Sequence, residues 1–521
     1  MHRWFGRQVR RLVLLVIVVV VTLLGARIYL AESGPPLEPW HTFVPKEMSD
    51  EAMDRASFAD YQKAENTIFA DIRSQVTDKL EPAERVPFNR YFADSPVNPE
   101  RFSTDWNRSF ELMPTGTPVG AAVFLHGLTD SPYSLRHLAK LYQDRGFVAI
   151  GIRLPGHGTV PGGLTAVSWQ DWMAAVRLAM REARSKAGPN APIHIVGYSN
   201  GGALAMLYAL DAQEDQALIR PARIVLMSPM IGVTRFARFS GLAGLPALLP
   251  AFAKTAWLDL LPEFNPFKYN SFPVNAAHQS YALTMAVQDR ITRLAQDGKL
   301  GGLAPVLTLQ SVLDATVSVQ AVVNALYGNL PDNGSELVLF DINRHTELGL
   351  LFRTRAEDLL PALLTPAPRN YRLTVIGNRE PTTDEVVARS TAAGSTEEAV
   401  QPTGLAYSPD IYSLSHVAMP FPPEDGLYGN HPDPADAFGI HLGTIAAHGE
   451  RSALIVSLDW LLRISWNPFF PFVRERVLAG LPAAESAAPV VPSAATEGAP
   501  VSPAVPPQPP AAPSEPAPAA P

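Results

Sequence analysis

From about Phe110 onward, short runs of β-branched and apolar residues alternate with longer stretches whose apolar positions recur at helical spacing. The runs "GAAVFLH", "GFVAIGIRL", "IHIVGYS", "RIVLMSP" and "PVLTLQSV" read as buried strands. Between them, "LRHLAKLYQDR", "WQDWMAAVRLAMREARSK" and "GALAMLYALDAQ" read as helices. Strands that alternate with helices imply βαβ units, so this part of the chain, residues 106–480, is expected to form a mostly parallel central sheet covered by helices on both faces. The alternation breaks twice. Residues 231–303 are rich in Phe, Trp, Leu and Pro ("FARFSGLAGLPALLPAFAKTAWLDLLPEFNPFKYNSF"). Such an apolar insertion at the carboxyl edge of a sheet suits a helical cap over an oily pocket; a membrane-leaning or simply buried helical pair fits the same composition. A further insertion is expected over about 350–412.

The flanks differ in kind. Residues 12–31 open on an uncharged apolar run, "LVLLVIVVVVTLLGA", behind a segment, residues 1–11, that carries four arginines. The pattern predicts a transmembrane signal-anchor whose basic flank stays in the cytoplasm, placing the rest of the chain on the extracytoplasmic, periplasmic side. Cleavage as a signal peptide near "AES" (Ala31 to Ser33), with secretion of the remainder, is the competing reading. Residues 32–105 are polar and proline-punctuated with one helical stretch, as in a stalk or packing arm. Residues 481–521 are almost entirely Ala, Pro, Ser and Val and should form a disordered tail.

Composition narrows the chemistry. A formal charge of −8 without a dense basic stretch beyond the N-terminus argues against a nucleic-acid partner. The chain has no cysteine, which excludes disulfides, Cys-ligated zinc and thiol nucleophiles.

One polar island then stands out. In "IHIVGYSNGGALAMLYAL", Gly-Tyr-Ser-Asn-Gly-Gly lies between a strand-like and a helix-like block. A tight strand-to-helix turn needs small residues on its flanks, supplied by Gly197 and Gly201. Such a turn projects Ser199 above the sheet and sets the Asn200 N–H at a helix N-terminus, a nucleophile beside a donor for developing negative charge.

Taken in order, "FLHGLTDSPYSLRHLAKLYQDRGFVAIGIRLPGHGT", "VGYSNGGALA" and "VLTLQSVLDATVS" resemble the α/β-hydrolase fold, in the branch containing monoacylglycerol lipases, lysophospholipases and serine aminopeptidases. The resemblance implies that the Leu128 N–H, after the His126-Gly127 turn, joins Asn200 as the second oxyanion donor, and that His126 and His157 are structural. It also implies the order Ser, acid, His. Asp314, at the end of an apolar strand, fits the acid; an N-cap role for the following helix is compatible but competes. For the base, His345 has the ordinary spacing, about 30 residues past Asp314. His416, some 70 residues further on, has the better surroundings: Ser413 and Ser415 leave room for the ring, and "SxSHVAxP" resembles the histidine turn of bacterial ester hydrolases. Arg344 beside His345 opposes an imidazolium. His416 is therefore expected to be the base and His345 the alternative.

These residues imply a serine hydrolase that cleaves acyl esters, lipid-like ones above all, through an acyl-enzyme, with no metal or organic cofactor. An aminopeptidase, which needs carboxylates for a free α-amine where the cap offers few acids (Asp259, Glu263) among many apolar residues, or a thioesterase would use the same constellation. A non-catalytic binding module at the membrane is the alternative outside enzymes.

Overall fold

The computed structural model describes residues 2–232, 245–348, 351–352, 356–445 and 462–482. The chain divides into two units, Met1–Ala483 and Ala484–Pro521. The second unit, where the disordered tail is expected, lies outside the described residues, as do parts of both expected insertions.

Ten strands form one sheet: β1 (Phe110–Leu112), β2 (Gly120–Leu125), β3 (Phe147–Ile152), β4 (Ile193–Tyr198), β5 (Arg223–Met227), and, after a two-stranded ribbon of β6 (Trp257–Asp259) and β7 (Phe272–Pro273), β8 (Val306–Ser311), β9 (Glu336–Phe340), β10 (Arg372–Asn378), β11 (Glu385–Thr391) and β12 (Glu398–Ala406). Their order across the sheet is β1-β3-β2-β4-β5-β8-β9-β10-β11-β12. The strands from β3 through β10 run parallel, while β1, β11 and β12 pair antiparallel. The helices that matter to the site are α1 (His2–Glu32), α2 (Asp50–Arg55), α3 (Phe58–Gln75), α4 (Arg136–Gln143), α5 (Trp169–Ala187), α6 (Asn200–Glu214), α7 (Val274–Gln296) and α8 (Phe470–Leu478).

Successive strand residues point to opposite faces, and the core divides accordingly. Val123, Leu125, Ile150, Ile152, Ile195 and Leu226 join one buried cluster with side chains of α5, α6 and α7. Phe124, Ala149, Val196, Val225 and Leu309 join the other, with Leu138 and Tyr142 of α4 and Val473 and Val477 of α8. Because both faces are covered, the parallel strands read as unbroken apolar runs rather than as alternation. The same logic governs α6: a helix apolar all round is a buried helix, and all but its last residues are enclosed.

The segment after α1 packs onto this body. Met53 of α2 and Phe58 and Tyr61 of α3 enter the first core cluster. Arg153, fully buried after β3, donates to the arm's carboxylates: its guanidinium meets Glu47 at 2.8 and 2.9 Å and Glu65 at 3.0 Å. Ahead of it, α1 contains a 26-residue stretch from Arg7 to Glu32 whose apolar 18-residue window has mean hydropathy 2.7 and is unburied, long and apolar enough to cross a membrane. Its exit is tied to the 231–303 insertion, where Lys254 Nζ donates to the Glu32 and Gly34 carbonyls at 3.3 and 3.2 Å.

The buried histidines give this body an acid limit. Burial drives His126 down to about 3, His194 to about 3 and His41 to about 4. Two of these rings accept backbone N–H groups, from Leu154 to His126 Nε2 at 3.1 Å and from Glu38 to His41 Nδ1 at 3.0 Å, which only a neutral imidazole can do. With the folded values below the unfolded 6.5, the unfolded chain takes up protons first, so stability is complete above pH 6.5 and is lost as pH falls toward 3–4. Each such histidine removes about 2 kcal/mol between pH 6.5 and 5. The urea midpoint at pH 5 should therefore fall clearly below that at pH 7.5; equal midpoints would contradict the account.

Candidate active site

The site forms where strand order reverses. The chain passes from β2 outward to β3, then returns to place β4 on the other side of β2, leaving a crevice above the carboxyl ends of β2 and β4. His126-Gly127 leaves the first strand there and Ser199 the second.

Ser199 sits at φ +54° and ψ −115°, between β4 and α6. A non-glycine residue in that region costs about 1–3 kcal/mol and persists only where its surroundings over-determine it. Here they do. A Cβ on Gly197 would lie 2.3 Å from the Gly201 carbonyl oxygen, and one on Gly201 would lie 2.0 Å from that of Leu125. The turn thus presses directly on its own helix and on β2, and only glycine fits at either position.

Three side chains converge at the turn. His416 Nε2 lies 3.0 Å from Ser199 Oγ, and His416 Nδ1 lies 2.7 Å from Asp314 Oδ2. Asp314 follows β8, and its side chain is fully enclosed. Its Oδ1 accepts the N–H groups of Thr316 and Val317 at 2.8 and 3.0 Å, while Oδ2 also accepts Gln310 Nε2 at 2.9 Å. Burial by itself raises this carboxyl's pKa, but His416 and the two backbone donors outweigh it and hold the group below its ordinary value. Asp314 thus caps the following turn and faces His416 at once. The loop carrying His416 is fastened on both sides: Ser311 Oγ donates to the Leu414 carbonyl at 2.7 Å, and Tyr198 stacks obliquely on the imidazole, 5.4 Å between centroids. His345 lies elsewhere, in the turn after β9, where its N–H donates to Asn343 Oδ1 at 3.0 Å. Among the described residues its ring meets neither Asp314 nor Ser199.

The backbone donors are oriented by a histidine. His126 Nδ1 holds the Gly127 carbonyl at 2.9 Å, with its Nε2 already occupied by the Leu154 N–H. The Leu128 N–H belongs to the same trans peptide and therefore points the opposite way, into the crevice. The Asn200 N–H opens α6, where the helix leaves its first donors unpaired. Among the described residues neither N–H has a backbone acceptor. His157 packs 5.1 Å from His126 and holds the Pro155 carbonyl at 3.1 Å.

Above these groups lies a cavity of about 320 Å³, lined by Leu128, Ser199, Met230, Phe272, Ala277 and His416 among others. Its chemistry suits attack on a carbonyl: a serine hydroxyl, an imidazole nitrogen within reach, a carboxylate behind that ring, and unused N–H donors beside the serine.

Residues 116–349 match the family described as Serine aminopeptidase, S33. The chain has the α/β-hydrolase fold. Within that fold it resembles the branch of the monoacylglycerol lipases. It is 27% identical over 178 residues to the thermostable monoacylglycerol lipase of Bacillus sp. (strain H-257), a match that spans 34% of this chain and 66% of that protein. Similar solved structures include a metagenome-derived lipolytic enzyme (22% identity, 45% of this chain and 86% of that one, TM-score 0.36). A soluble variant of monoglyceride lipase from Saccharomyces cerevisiae is 14% identical, over 44% of this chain and 81% of that one, with a TM-score of 0.34.

Around this α/β-hydrolase core, the described part of the 231–303 block reaches the cavity through a few of its residues. Trp257 is buried against His41 of the N-terminal arm, ring centroids 4.9 Å apart, and neither it nor Phe252 lines the cavity. The block's contributions to the cavity are Lys268, Phe272, Ala277 and Ser280. Of the two acids weighed there, Glu263 is consumed inside the block, accepting the N–H groups of Asn270 and Ser271 at 3.0 and 2.8 Å. Neither Glu263 nor Asp259 reaches the cavity. Three charged side chains that do reach it, Asp130, Lys268 and Arg463, were not singled out from the sequence. Asp130 could have been noticed as an acid three residues beyond Gly127; the other two carry no local signal.

Proposed function

We propose that this chain is a serine hydrolase of carboxylic esters, held at a membrane by α1 with its hydrolase body on the extracytoplasmic side. The observation that carries the reading is the unbroken chain from Asp314 through both nitrogens of His416 to Ser199, at 2.7 and 3.0 Å. In the reaction Ser199 Oγ attacks the ester carbonyl while His416 Nε2 takes the hydroxyl proton. Asp314 fixes the tautomer and offsets the imidazolium charge. The Leu128 and Asn200 N–H groups receive the oxyanion, and His416 returns the proton to the departing alkoxide. Water then attacks the acyl-enzyme by the same route in reverse, releasing the acid.

Support for a lipid-like acyl group comes from the apolar lining, Leu128, Met230, Phe272, Ala277 and Val417, and from the name of the Bacillus relative. An aminopeptidase would need a carboxylate ready for an ammonium. Among the described residues the cavity offers Asp130 alone, whose pKa burial pushes up to about 6 despite the opposing field of Lys268. Turnover of p-nitrophenyl acyl esters should therefore exceed that of aminoacyl p-nitroanilides by at least a hundredfold in kcat/KM. A preference for the anilides would replace the ester reading with the peptidase one.

A further inference from the structure

Lys268 and Arg463 reach the cavity of Ser199 and also line a smaller chamber beside it, of about 60 Å³, shared with Asp130, Tyr198, Phe421 and Tyr428. The placement of Lys268 is rigid. On one side Phe267 is stacked on Tyr133, centroids 4.1 Å apart. On the other, the Tyr269 N–H donates to the Thr129 carbonyl at 2.8 Å and its hydroxyl to that of Gly156 at 3.0 Å. The backbone is therefore pinned to the loop that carries the Leu128 N–H. Among the described residues Lys268 has neither a hydrogen bond nor a carboxylate within ion-pair distance. Among the described residues Arg463 is engaged through Thr316 Oγ1, at 3.2 Å, and has no acidic partner. Burial and the neighbouring Arg463 lower the pKa of the Lys268 ammonium, and Asp130 opposes them.

Lys268 is half-buried and Arg463 is exposed beside it, and both face the cavity of the nucleophile with no carboxylate in ion-pair reach among the described residues. Among the described residues Arg153 is answered by Glu47 and Glu65 and Arg136 by Asp425 and Asp436, while the buried Arg90 meets neutral oxygens of Asn265 and Asn107. The two at the nucleophile are left with one carboxyl that favours its neutral form more than usual. The missing countercharge belongs to whatever fills the chamber.

Resting on the ester-hydrolase reading, we infer that the substrate carries an anionic oxygen group, a carboxylate or phosphate, a few bonds from the scissile carbonyl, held between Lys268 and Arg463. The apolar part of the cavity then takes the remaining chain, so that the ester is an amphiphile with a negative end.

Two matched pairs of substrates test this and separate the sources of charge. On the acyl side, mono-4-nitrophenyl glutarate is compared with 4-nitrophenyl valerate. On the alcohol side, a 1-acylglycerol 3-phosphate is compared with the monoacylglycerol of the same acyl chain. In the full-length protein in detergent, the charged member of at least one pair should be favoured tenfold or more in kcat/KM. Lys268→Met and Arg463→Gln should each cut that preference about tenfold, mainly through KM, and Lys268→Arg should keep most of it. If Lys268→Met does not fold, the exposed Arg463→Gln gives the same reading. Neutral members preferred in both pairs, or a preference untouched by either variant, would overturn the inference and leave the ester reading standing. Failure to hydrolyse any of the four esters would overturn both.

Discussion

His416→Ala is expected to lower kcat by about 10³- to 10⁶-fold with the fold intact, the range in which loss of a triad base falls. The ring touches both the Ser199 hydroxyl and the Asp314 carboxylate. Without it, the hydroxyl keeps its ordinary acidity and is a weak nucleophile at neutral pH. The leaving alcohol also loses its proton donor. Circular dichroism should be unchanged, because the loop is held through Leu414 and Tyr198 rather than through the ring's two hydrogen bonds alone. His345→Ala is the control: its site after β9 predicts a change within about tenfold. Reversal of the two effects would move the base to His345 and leave the observed hydrogen-bond chain without a catalytic role.

The sequence made these histidines hard to separate, and the reason is topological. In the structure β10 adds parallel to β9, and β11 and β12 follow antiparallel, so the 350–412 segment widens the sheet rather than forming a separate lobe. Chain spacing from Asp314 therefore favours the histidine after β9, while the loop that returns over the carboxyl ends carries His416. Local chemistry pointed to the histidine whose ring lies between Asp314 and Ser199, in a loop that meets β8 through Leu414 and Tyr198 through His416.

Legibility followed the range of the interaction. Ser199 was readable because a strand-to-helix turn this tight imposes glycine within two residues on each side, a constraint local to the chain. The strands β2, β3, β4, β5 and β8 were readable because burial on both faces produces continuous apolar runs. The apolar residues of the 231–303 block were harder to interpret. Apolarity says that Trp257 is buried, not that its partner is His41, more than two hundred residues away. Lys268 and Asp130 were invisible for the same reason. Each looks like an ordinary loop charge until the fold brings both to one cavity.

The most direct test of the proposed chemistry is covalent. Ser199→Ala should abolish reaction with a fluorophosphonate, which takes the place of the acyl group at an activated serine, and should lower ester turnover by about 10⁶-fold. Because Ser199 is fixed by the glycines around it and not by its own hydroxyl, the alanine variant should fold and unfold as the wild type does. The measurement is intact-mass and peptide mapping after incubation with the probe. The account predicts one adduct per chain, on the peptide containing Ser199, absent from Ser199→Ala and slowed severely in His416→Ala. A folded wild-type protein that takes no label, or a label that persists in Ser199→Ala, would contradict it.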